Sequence, residues 1–392
     1  MFQKNPRDVV VVAAVRTPAT KSGKGSLKDT RPDDLLIECI KGLMARVPNF
    51  DPAEIDDCVI GCAFPEGEQG MNVARIATMG AGLPDSVPAM TINRFCSSGL
   101  QSLAQAAAAI HAGWIDCALT GGVESMSQIP MGGQKPSPNP TMMEKDPAMY
   151  APMGTTSETV ATRYDISRED QDAFALRSNT NALAAQANGT FNDEIVPVKT
   201  KVWDGTEMKD KVVDTDEGPR ASTLEALGKL RTVFSTTGRS TAGNSSQTSD
   251  GAAANLIMTR EKAEKLGLPV LGVFRGFQVV GVKADEMGVG PAYAIPKLVE
   301  HYGMTVDDID VYEINEAFAS QALYSVRKAG IDPERVNLHG GAIALGHPLG
   351  CTGAKLTATL LHELKRSKKR FGVVSMCIGG GMGAAGLFEN EG

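Results

Sequence analysis

Three short segments combine residue types that suit covalent catalysis. The first is Cys96-Ser97-Ser98-Gly99-Leu100, where an extended apolar run is predicted to give way to a helix. Much later in the chain come Gly346-His347-Pro348 and Cys377-Ile378-Gly379-Gly380-Gly381. Two thiols and an imidazole can supply a nucleophile, its base and a second proton donor. The sequence therefore predicts an enzyme rather than a plain α/β protein.

Composition and charge argue against several classes of protein. The chain has 392 residues, 42% hydrophobic and 22% charged, which is ordinary for globular proteins and long enough for two or three domains. Its formal net charge of −7 argues against a nucleic-acid partner. No apolar run approaches the ~18 residues of a membrane span. The seven cysteines lack disulfide-like or metal-ligand spacing, so we expect a reducing cytoplasmic location and no metal.

The chain contains two similar halves. Ile55 and Ile309, each where a helix is predicted to lead into a strand, are 254 residues apart. Gly99 and Gly353, each in a predicted turn before an Ala/Leu-rich helix, are also 254 residues apart. Because the same order of elements surrounds both pairs, we predict a duplicated α/β unit. The predicted units are 1–124 plus 241–268, a loop domain at 125–240, and 269–392.

Periodicity and capping residues predict the elements that position the reactive side chains. The predicted strands are Val9–Val12, Cys117–Thr120, Val270–Phe274, Ile309–Ile314 and Gly372–Met376. The predicted helices are Leu100–Ile110, Gln171–Asn188, Ala252–Ile257, Glu316–Val326 and Ala354–Leu364. Ser167 is the expected cap of the helix that follows it, and Gly189 its expected end.

The duplication bears on whether Cys96 is a nucleophile or an inert buried thiol. Gly350 stands 254 residues after Cys96, so only one copy carries a thiol. His347 lies three residues before Gly350, and we expect the two equivalent segments to face each other. Imidazole is the natural base for a thiol near neutral pH, and a helix N-terminus would stabilise the thiolate. An isolated cysteine is more often structural, and that interpretation stays open at this point.

Two further segments could stabilise negative charge. The glycines after Cys377 allow main-chain N–H groups to converge on an anion. The run Gly381–Gly386 also fits a dinucleotide-binding pattern, but too few residues follow it to complete such a site. Asn315 follows a predicted strand, where α/β proteins place their sites, and could orient a water or a carbonyl group. It could equally cap the next helix.

Taken together, these motifs resemble those of the thiolase family over essentially the whole chain. The matching motifs are Ala14–Pro18, Asn93–Gly99, Gly121–Met126, Met153–Glu158, Thr241–Ser246, Asn315–Phe318, Gly346–Pro348 and Cys377–Gly381. The resemblance implies a thiolase-like α/β fold: two duplicated βαβαβαββ units related by a pseudo-twofold axis, with an inserted loop domain. It also implies a homodimer or homotetramer.

The resemblance further implies acyl transfer between coenzyme A thioesters, with CoA as a substrate and no permanently bound cofactor. His347 would activate Cys96, whose thiolate attacks a 3-oxoacyl-CoA. Cys377 would then protonate the acetyl-CoA enolate. One oxyanion site would consist of His347 and a water held by Asn315, and the other of the N–H groups of Cys96 and Gly379.

The same resemblance implies substrate-binding residues. Ser246 would contact the pantetheine of CoA, and Arg220 its nucleotide end. Met153, Met287 and Phe318 would line the acyl pocket, although simple core packing also explains methionines of this kind.

One departure from the family pattern bears on the direction of the reaction. Biosynthetic acetoacetyl-CoA thiolases carry a histidine directly before the Met-Gly-Thr motif, where this chain has Pro152. We therefore expect the degradative type, which cleaves 3-oxoacyl-CoA in fatty-acid β-oxidation. The alternative within the family is a biosynthetic enzyme that condenses two acetyl-CoA. Outside it, a decarboxylating condensing enzyme and a non-catalytic lipid-binding relative remain to be distinguished.

Overall fold

The computed structural model describes residues 2–392. Its strands are β1 (Val9–Arg16), β2 (Thr20–Lys21), β3 (Asp57–Gly61), β4 (Ala89–Ile92), β5 (Cys117–Ser125), β6 (Val198–Trp203), β7 (Met208–Val213), β8 (Ser249–Thr259), β9 (Gly272–Gly281), β10 (Val311–Ile314), β11 (Phe371–Ile378) and β12 (Met382–Glu389). Its helices are α1 (Pro32–Ala45), α2 (Val73–Gly80), α3 (Ser98–His111), α4 (Pro140–Lys145), α5 (Met153–Arg163), α6 (Arg168–Ala187), α7 (Leu224–Gly228), α8 (Arg260–Lys265), α9 (Pro291–His301), α10 (Ala319–Ala329), α11 (Ala342–Leu345) and α12 (Leu349–Ser367).

One mixed sheet runs through both halves of the chain in the order β10-β11-β12-β9-β1-β8-β5-β3-β4. The halves join where Val9–Val11 of β1 pair antiparallel with Gly272–Phe274 of β9. Outwards from this joint the order is β1-β8-β5-β3 on one side and β9-β12-β11-β10 on the other. The N-terminal half adds β4, whereas the corresponding part of the C-terminal half has only an isolated bridge between Tyr312 and Val336. The expected fold class, a duplicated α/β unit, is confirmed.

Hydrogen bonds repeat at the spacing found in the sequence. The Asp56 carboxylate accepts from the main-chain N–H groups of residues 116 and 117, at 2.8 and 3.0 Å. The Asp310 carboxylate accepts from those of residues 370 and 371, at 3.0 and 2.9 Å. Each residue of the second set lies 254 positions after its counterpart. In each half, an aspartate near the start of one strand therefore binds the main chain at the start of the neighbouring strand, so the repeat includes this hydrogen bonding.

Helices α3 and α12 lie between the two halves of the sheet and cross closely. A Cβ on Gly99 would come 2.6 Å from the nitrogen of Ala354, and one on Gly353 would overlap the nitrogen of Leu100. Glycine is therefore required at both repeat positions by close helix approach. Gly353 lies within α12, which begins five residues earlier than predicted, and not in a turn before it. Because the crossing is near both N-termini, the segments that precede the two helices are brought together.

Other helices cover the outer faces of the sheet. Helices α1 and α2 pack with β1, β3, β5 and β8 in one apolar cluster on the N-terminal half. Helices α9 and α10 pack with β10, β11 and β12 in a second cluster on the C-terminal half. The layers thus alternate between helices and strands, with α3 and α12 in the middle.

Three other secondary-structure predictions are wrong. The predicted helix Ala252–Ile257 is the middle of strand β8, because it pairs antiparallel with both β1 and β5. There, burial between two strands outweighs the helix propensity of alanine. The helix predicted at Glu316–Val326 begins instead at Ala319. Cys377 lies within β11, paired with Gly383, rather than after the strand.

The inserted region carries α4–α7 and a hairpin of β6 and β7 that the sequence did not predict. The predicted cap of α6 is confirmed, since Ser167 Oγ accepts from the N–H three residues later, and Gly189 follows the helix with a φ of +69°. Arg16 at the end of β1 is buried and bonds to Glu194 at 2.6 Å and to Asp216 at 2.8 Å. These ion pairs join the insertion to the N-terminal half. The boundaries 1–124 plus 241–268, 125–240 and 269–392 stay a prediction.

Candidate active site

Cys96 is held on a strained turn. It lies in the 3-10 turn Phe95–Ser97, which leads directly into α3. Phe95 has a φ of +44°, a conformation that is unfavourable for a bulky side chain. Two polar side chains stabilise it: the Phe95 N–H donates to Asn93 Oδ1 at 2.7 Å, and Ser98 Oγ donates to the Phe95 carbonyl at 2.7 Å. The turn therefore fixes the direction of the Cys96 side chain.

The surroundings of the Cys96 sulfur favour the neutral thiol. The side chain is buried, and burial raises the pKa of the thiol to about 12. The main-chain N–H groups of Gly379 and of Cys96 itself point at the sulfur and oppose this rise. At Cys96, desolvation by burial therefore outweighs the stabilisation of the thiolate by these N–H groups. The same two N–H groups can donate hydrogen bonds to an anion that forms beside the sulfur.

Cys377 and the glycine turn lie against Cys96. Cys377 is fully buried, and burial, together with the nearby Cys96, raises the pKa of its thiol. Gly380 and Gly381 turn the chain from β11 into β12 with φ values of +79° and +88°. The run that fits a dinucleotide-binding pattern is thus the end of this turn and the first part of β12, and no helix follows it as a dinucleotide site requires. Gly379 stacks on Phe95, where an added Cβ would lie 3.4 Å from the ring.

Hydrogen bonds assign the tautomer of His347. Its Nδ1 lies 2.5 Å from Thr352 Oγ1, and that hydroxyl donates to the Pro348 carbonyl at 3.0 Å. Since the hydroxyl proton is already used, the oxygen accepts from Nδ1–H. Nε2 then carries the lone pair, 3.3 Å from Asn315 Nδ2. His347 is therefore oriented to accept a proton at Nε2.

The same ring is kept uncharged. Burial lowers the pKa of His347 to about 3, and the buried Lys355 in the second turn of α12 lowers it as well. Cys96 and His347 thus rest as a neutral thiol and a neutral imidazole, not as an ion pair. The hydrogen-bond partners of the ring are Thr352 and Asn315, and the Cys96 sulfur is not among them.

Asn315 is not a helix cap. The residue that precedes α10 is Phe318, and the Asn315 side chain makes no capping bond. Its carbonyl accepts from Gln321 Nε2 at 2.8 Å, and its N–H donates to the Ser375 carbonyl at 2.9 Å. These bonds aim the side chain at His347, while its buried Oδ1 has no partner within residues 2–392. The amide can therefore orient a small polar molecule beside the imidazole.

The structure places Ser246 beside this centre. The Ser246 N–H donates to the Ala317 carbonyl at 2.9 Å, and Thr248, two residues on, pairs with His347. Arg220 is exposed on the inserted region and donates to the Ala242 carbonyl at 3.3 Å. The segment from residue 242 to 248 therefore runs from the surface near Arg220 to the buried histidine.

The three predicted acyl-pocket residues meet at one thiol. Met287, Ala317, Phe318 and Cys377 form a single buried cluster, against which the half-buried Met153 packs. Met153 also contacts the cluster that contains Cys96. Residues from α5, from the link before α9 and from the segment just before α10 thus form an apolar wall beside Cys377.

Four buried residues near the site were not predicted from the sequence: Thr352, Lys355, Glu124 and Glu316. Of these, Thr352 has a local signal, because a hydroxyl five residues after a histidine at a helix start can orient the ring. The buried Lys355, Glu124 and Glu316 gave no such local signal, because their partners are distant in sequence.

Two other features of residues 2–392 bear on function. No helix in this range is both long and apolar enough to cross a membrane. No group of His, Cys, Asp and Glu side chains there is arranged to hold a metal ion.

Two family profiles together match nearly the whole chain. The profile described as "Thiolase, N-terminal domain" matches residues 9–261, and "Thiolase, C-terminal domain" matches residues 268–390. The chain therefore belongs to the thiolase family, as its motifs indicated.

Individual relatives are similar over their full length. The chain is 54% identical over 389 residues to the 3-ketoacyl-CoA thiolase of Bacillus subtilis, covering 98% of this chain and 99% of the relative. The crystal structure of the dimeric peroxisomal thiolase of Saccharomyces cerevisiae is 45% identical with a TM-score of 0.91, covering 99% of each chain. The Bacillus anthracis acetyl-CoA acetyltransferase is 40% identical with a TM-score of 0.88, covering 97% of this chain and 98% of its own.

Proposed function

We propose that this protein is an acetyl-CoA C-acyltransferase, which uses CoA to cleave 3-oxoacyl-CoA into acetyl-CoA and a shortened acyl-CoA. The observation that carries the proposal is the convergence of two buried thiols and the Gly379 N–H, with the Asn315–His347 pair oriented beside them. Full-length similarity to a 3-ketoacyl-CoA thiolase supports it.

In the first step the Cys96 sulfur attacks the 3-keto carbon, and its proton passes to His347 Nε2. The N–H groups of Cys96 and Gly379 then stabilise the oxyanion of the tetrahedral intermediate. Removing one such donor typically slows a reaction by about 10²- to 10³-fold. Because the thiol and the imidazole both start neutral, proton transfer accompanies the attack.

In the second step the bond between C2 and C3 breaks. The acyl group stays on Cys96, and the electron pair moves into the enolate of acetyl-CoA, whose oxygen is stabilised by protonated His347 and a water held by Asn315. Cys377 donates its proton to C2, which completes acetyl-CoA and leaves a thiolate at Cys377. The raised pKa of Cys377 makes this thiolate a strong base for the next step.

In the third step a new CoA enters along Arg220 and Ser246. Its thiol gives a proton to the Cys377 thiolate, and its sulfur attacks the acyl carbon. The tetrahedral intermediate expels the Cys96 sulfur, which recovers its proton from His347. The products are acyl-CoA and the enzyme in its starting protonation state.

The degradative direction is supported at the start of α5. Pro152 precedes Met153 there, so no imidazole stands beside the acyl pocket at that position. The acyl chain would lie along Met153, Met287 and Phe318, which form an apolar wall. The biosynthetic alternative uses the same catalytic groups and differs in the acyl chain that the pocket accepts.

A thiolysis assay across chain lengths tests this function. We expect purified enzyme with CoA to convert 3-oxoacyl-CoA substrates to acetyl-CoA and acyl-CoA, with higher kcat/KM for chains longer than acetoacetyl-CoA. Loss of absorbance of the 3-oxoacyl-CoA and mass analysis of products measure it. Activity confined to acetoacetyl-CoA would favour the biosynthetic alternative, and release of carbon dioxide would identify a decarboxylating condensing enzyme.

Changing Cys377 separates the two half-reactions. In Cys377→Ala we expect carbon–carbon cleavage to fall by about 10²- to 10⁴-fold, because the enolate loses its proton donor. Hydrolysis of a preformed acyl-Cys96 needs no proton at C2 and should change by less than about tenfold. Single-turnover measurement of acetyl-CoA release and acyl-enzyme decay provides both rates. Equal losses in the two steps would remove Cys377 from the role of acid.

We also propose a homodimer or homotetramer in the cytoplasm. The dimeric yeast relative supports an oligomer, and its peroxisomal location shows that relatives occupy different compartments. The seven cysteines are all free, which suits a reducing compartment. Light scattering of the purified protein measures the assembly.

A further inference from the structure

Glu124, near the end of β5, carries a buried carboxylate that contacts the start of α12. Its Oε2 accepts from the N–H groups of Ala63 and Gly350, both at 2.8 Å, and its Oε1 accepts from Phe64 N–H at 3.2 Å and from Gln69 Nε2. The carboxylate makes no salt bridge within residues 2–392, so neutral dipoles alone satisfy it. Because Gly350 is the second residue of α12, the N-terminus of this helix is tied to the N-terminal half.

Glu316, in the link between β10 and α10, carries a second buried carboxylate, which contacts the start of α11. Its Oε2 accepts from Ser178 Oγ at 2.7 Å and from Ile343 N–H at 3.2 Å. Its Oε1 accepts from Asn337 Nδ2 at 2.8 Å. Ser178 on α6 also accepts from Gly341 N–H at 3.0 Å, so the insertion contributes to the same anchor. The N-terminus of α11 is thus tied to the end of β10, directly beside Asn315.

His347 lies between these two anchors. Helix α11 ends at Leu345, α12 begins at Leu349, and the link between them is Gly346-His347-Pro348. Gly346 has a φ of +80°, and a Cβ there would overlap Ser249 Oγ. A link this short transmits any displacement of either helix start to the imidazole.

The residues that donate to Glu124 are counterparts, in the repeat, of residues at the candidate active site. Gly350 is the counterpart of Cys96, 254 residues on. Ala63 and Phe64 are likewise the counterparts of Ala317 and Phe318, which pack against Cys377. The N–H groups of Cys96 and Gly379 lie beside the Cys96 sulfur, whereas those of Gly350, Ala63 and Phe64 donate to the Glu124 carboxylate. Of the two groups of N–H donors, one therefore lies at the reacting sulfur and the other holds the start of α12.

We propose that Glu124 and Glu316 are positioning residues that hold His347 Nε2 towards Asn315 and the Cys96 pocket. This inference rests on the proposed function only for its kinetic test, which measures thiolysis. The hydrogen bonds from which it is argued do not depend on that function. Each carboxylate uses both oxygens as acceptors. A glutamine in either place keeps the size but turns one acceptor into an NH₂ donor, which then faces an N–H or O–H donor. The helix start must move, and His347 moves with it.

Glutamine variants provide the test, with Glu313→Gln as the matched control. Glu313 on β10 is also fully buried, burial raises its pKa, and its side chain bonds to nothing in residues 341–350. We expect Glu124→Gln and Glu316→Gln each to lower kcat for thiolysis by about 10- to 100-fold, as typically follows loss of a partner that orients a reactive group. KM should stay within about twofold, and Glu313→Gln should keep both constants within about twofold.

The rate at which iodoacetamide alkylates Cys96 depends on the position of His347 and can be measured without any substrate. In the folded Glu124→Gln and Glu316→Gln proteins we expect its rate at pH 7 to fall by about 10-fold or more, because the base is displaced. A purely structural role would lower the thermal midpoint but leave alkylation per folded molecule unchanged, and that result would overturn the proposal. If a glutamine variant does not fold, Gln69→Leu and Ser178→Ala remove one hydrogen-bonding partner from each anchor, and unchanged alkylation in both overturns it equally. Failure of thiolysis in the unmodified protein would instead refute the proposed function. The alkylation experiment would still test the positioning role, because it does not depend on thiolysis.

Discussion

Replacing Cys96 by Ser is expected to abolish thiolysis while leaving acyl-CoA binding within about threefold. The hydroxyl is a far weaker acid than the thiol, and the buried pocket that already raises the thiol pKa to about 12 disfavours an alkoxide still more. Loss of a covalent nucleophile in a comparable enzyme lowers kcat by about 10⁶-fold, so we expect at least about 10⁴-fold here. Steady-state rates and calorimetric titration with acyl-CoA measure the two quantities.

A matched control separates nucleophile loss from loss of a buried thiol. Cys58 is equally buried but lies on β3, where Thr78 Oγ1 approaches its sulfur at 3.4 Å and can bond to a serine hydroxyl. Cys58→Ser should therefore keep thiolysis within about threefold. Turnover by Cys96→Ser at more than about one hundredth of the normal rate would exclude the acyl-Cys96 intermediate.

Removing His347 is expected to change both the rate and the pH dependence of Cys96 reactivity. Without a base, a thiol of pKa about 12 is ionised to only about 10⁻⁵ at pH 7, and its alkylation rate rises tenfold per pH unit. With His347 present, its pKa of about 3 leaves the imidazole neutral, and therefore able to accept the proton, throughout the range from pH 5 to 9. The alkylation rate of the unmodified protein should then be nearly flat over that range.

The direction in which the alkylation rate changes with pH follows from the two pKa values. Protonation of His347 removes the base only as the pH falls towards 3, and ionisation of Cys96 makes it unnecessary only as the pH rises towards 12. In His347→Ala we expect a sloping profile and a fall of about 10²- to 10⁴-fold in thiolysis. Cys377 and Glu124 are the other titratable groups near this sulfur, and both remain in the variant.

The exposed His301 at the end of α9 provides the control for this variant. His301→Ala should retain both the flat alkylation profile and normal turnover. A steep profile in the unmodified protein would contradict a neutral thiol–imidazole pair, because it would mean that Cys96 reacts without help from His347.

Much of the site could be predicted because its parts are local in sequence. Cys96 and Cys377 stand out through the turns and glycines around them, and the 254-residue repeat indicated which segments would meet. Asn315 was identified at a strand end, but its role as a cap could be excluded only when α10 was found to begin at Ala319. The helix predicted at Ala252–Ile257 failed because its strand partners, β1 and β5, are more than a hundred residues away.

The amino-acid sequence by itself indicated the proposed reacting groups, the duplication and the family, because side-chain chemistry and short-range spacing depend only on the order of the residues. Only the tertiary structure decided the protonation of those groups. A neutral thiol at Cys96 and a neutral imidazole at His347 follow from desolvation, to which atoms from both halves contribute. The anchors of His347 are likewise long-range, since Glu124 and Gly350 are 226 residues apart in the chain yet share a 2.8 Å hydrogen bond. Burial and contacts of this kind arise when distant segments pack, and no local pattern encodes them.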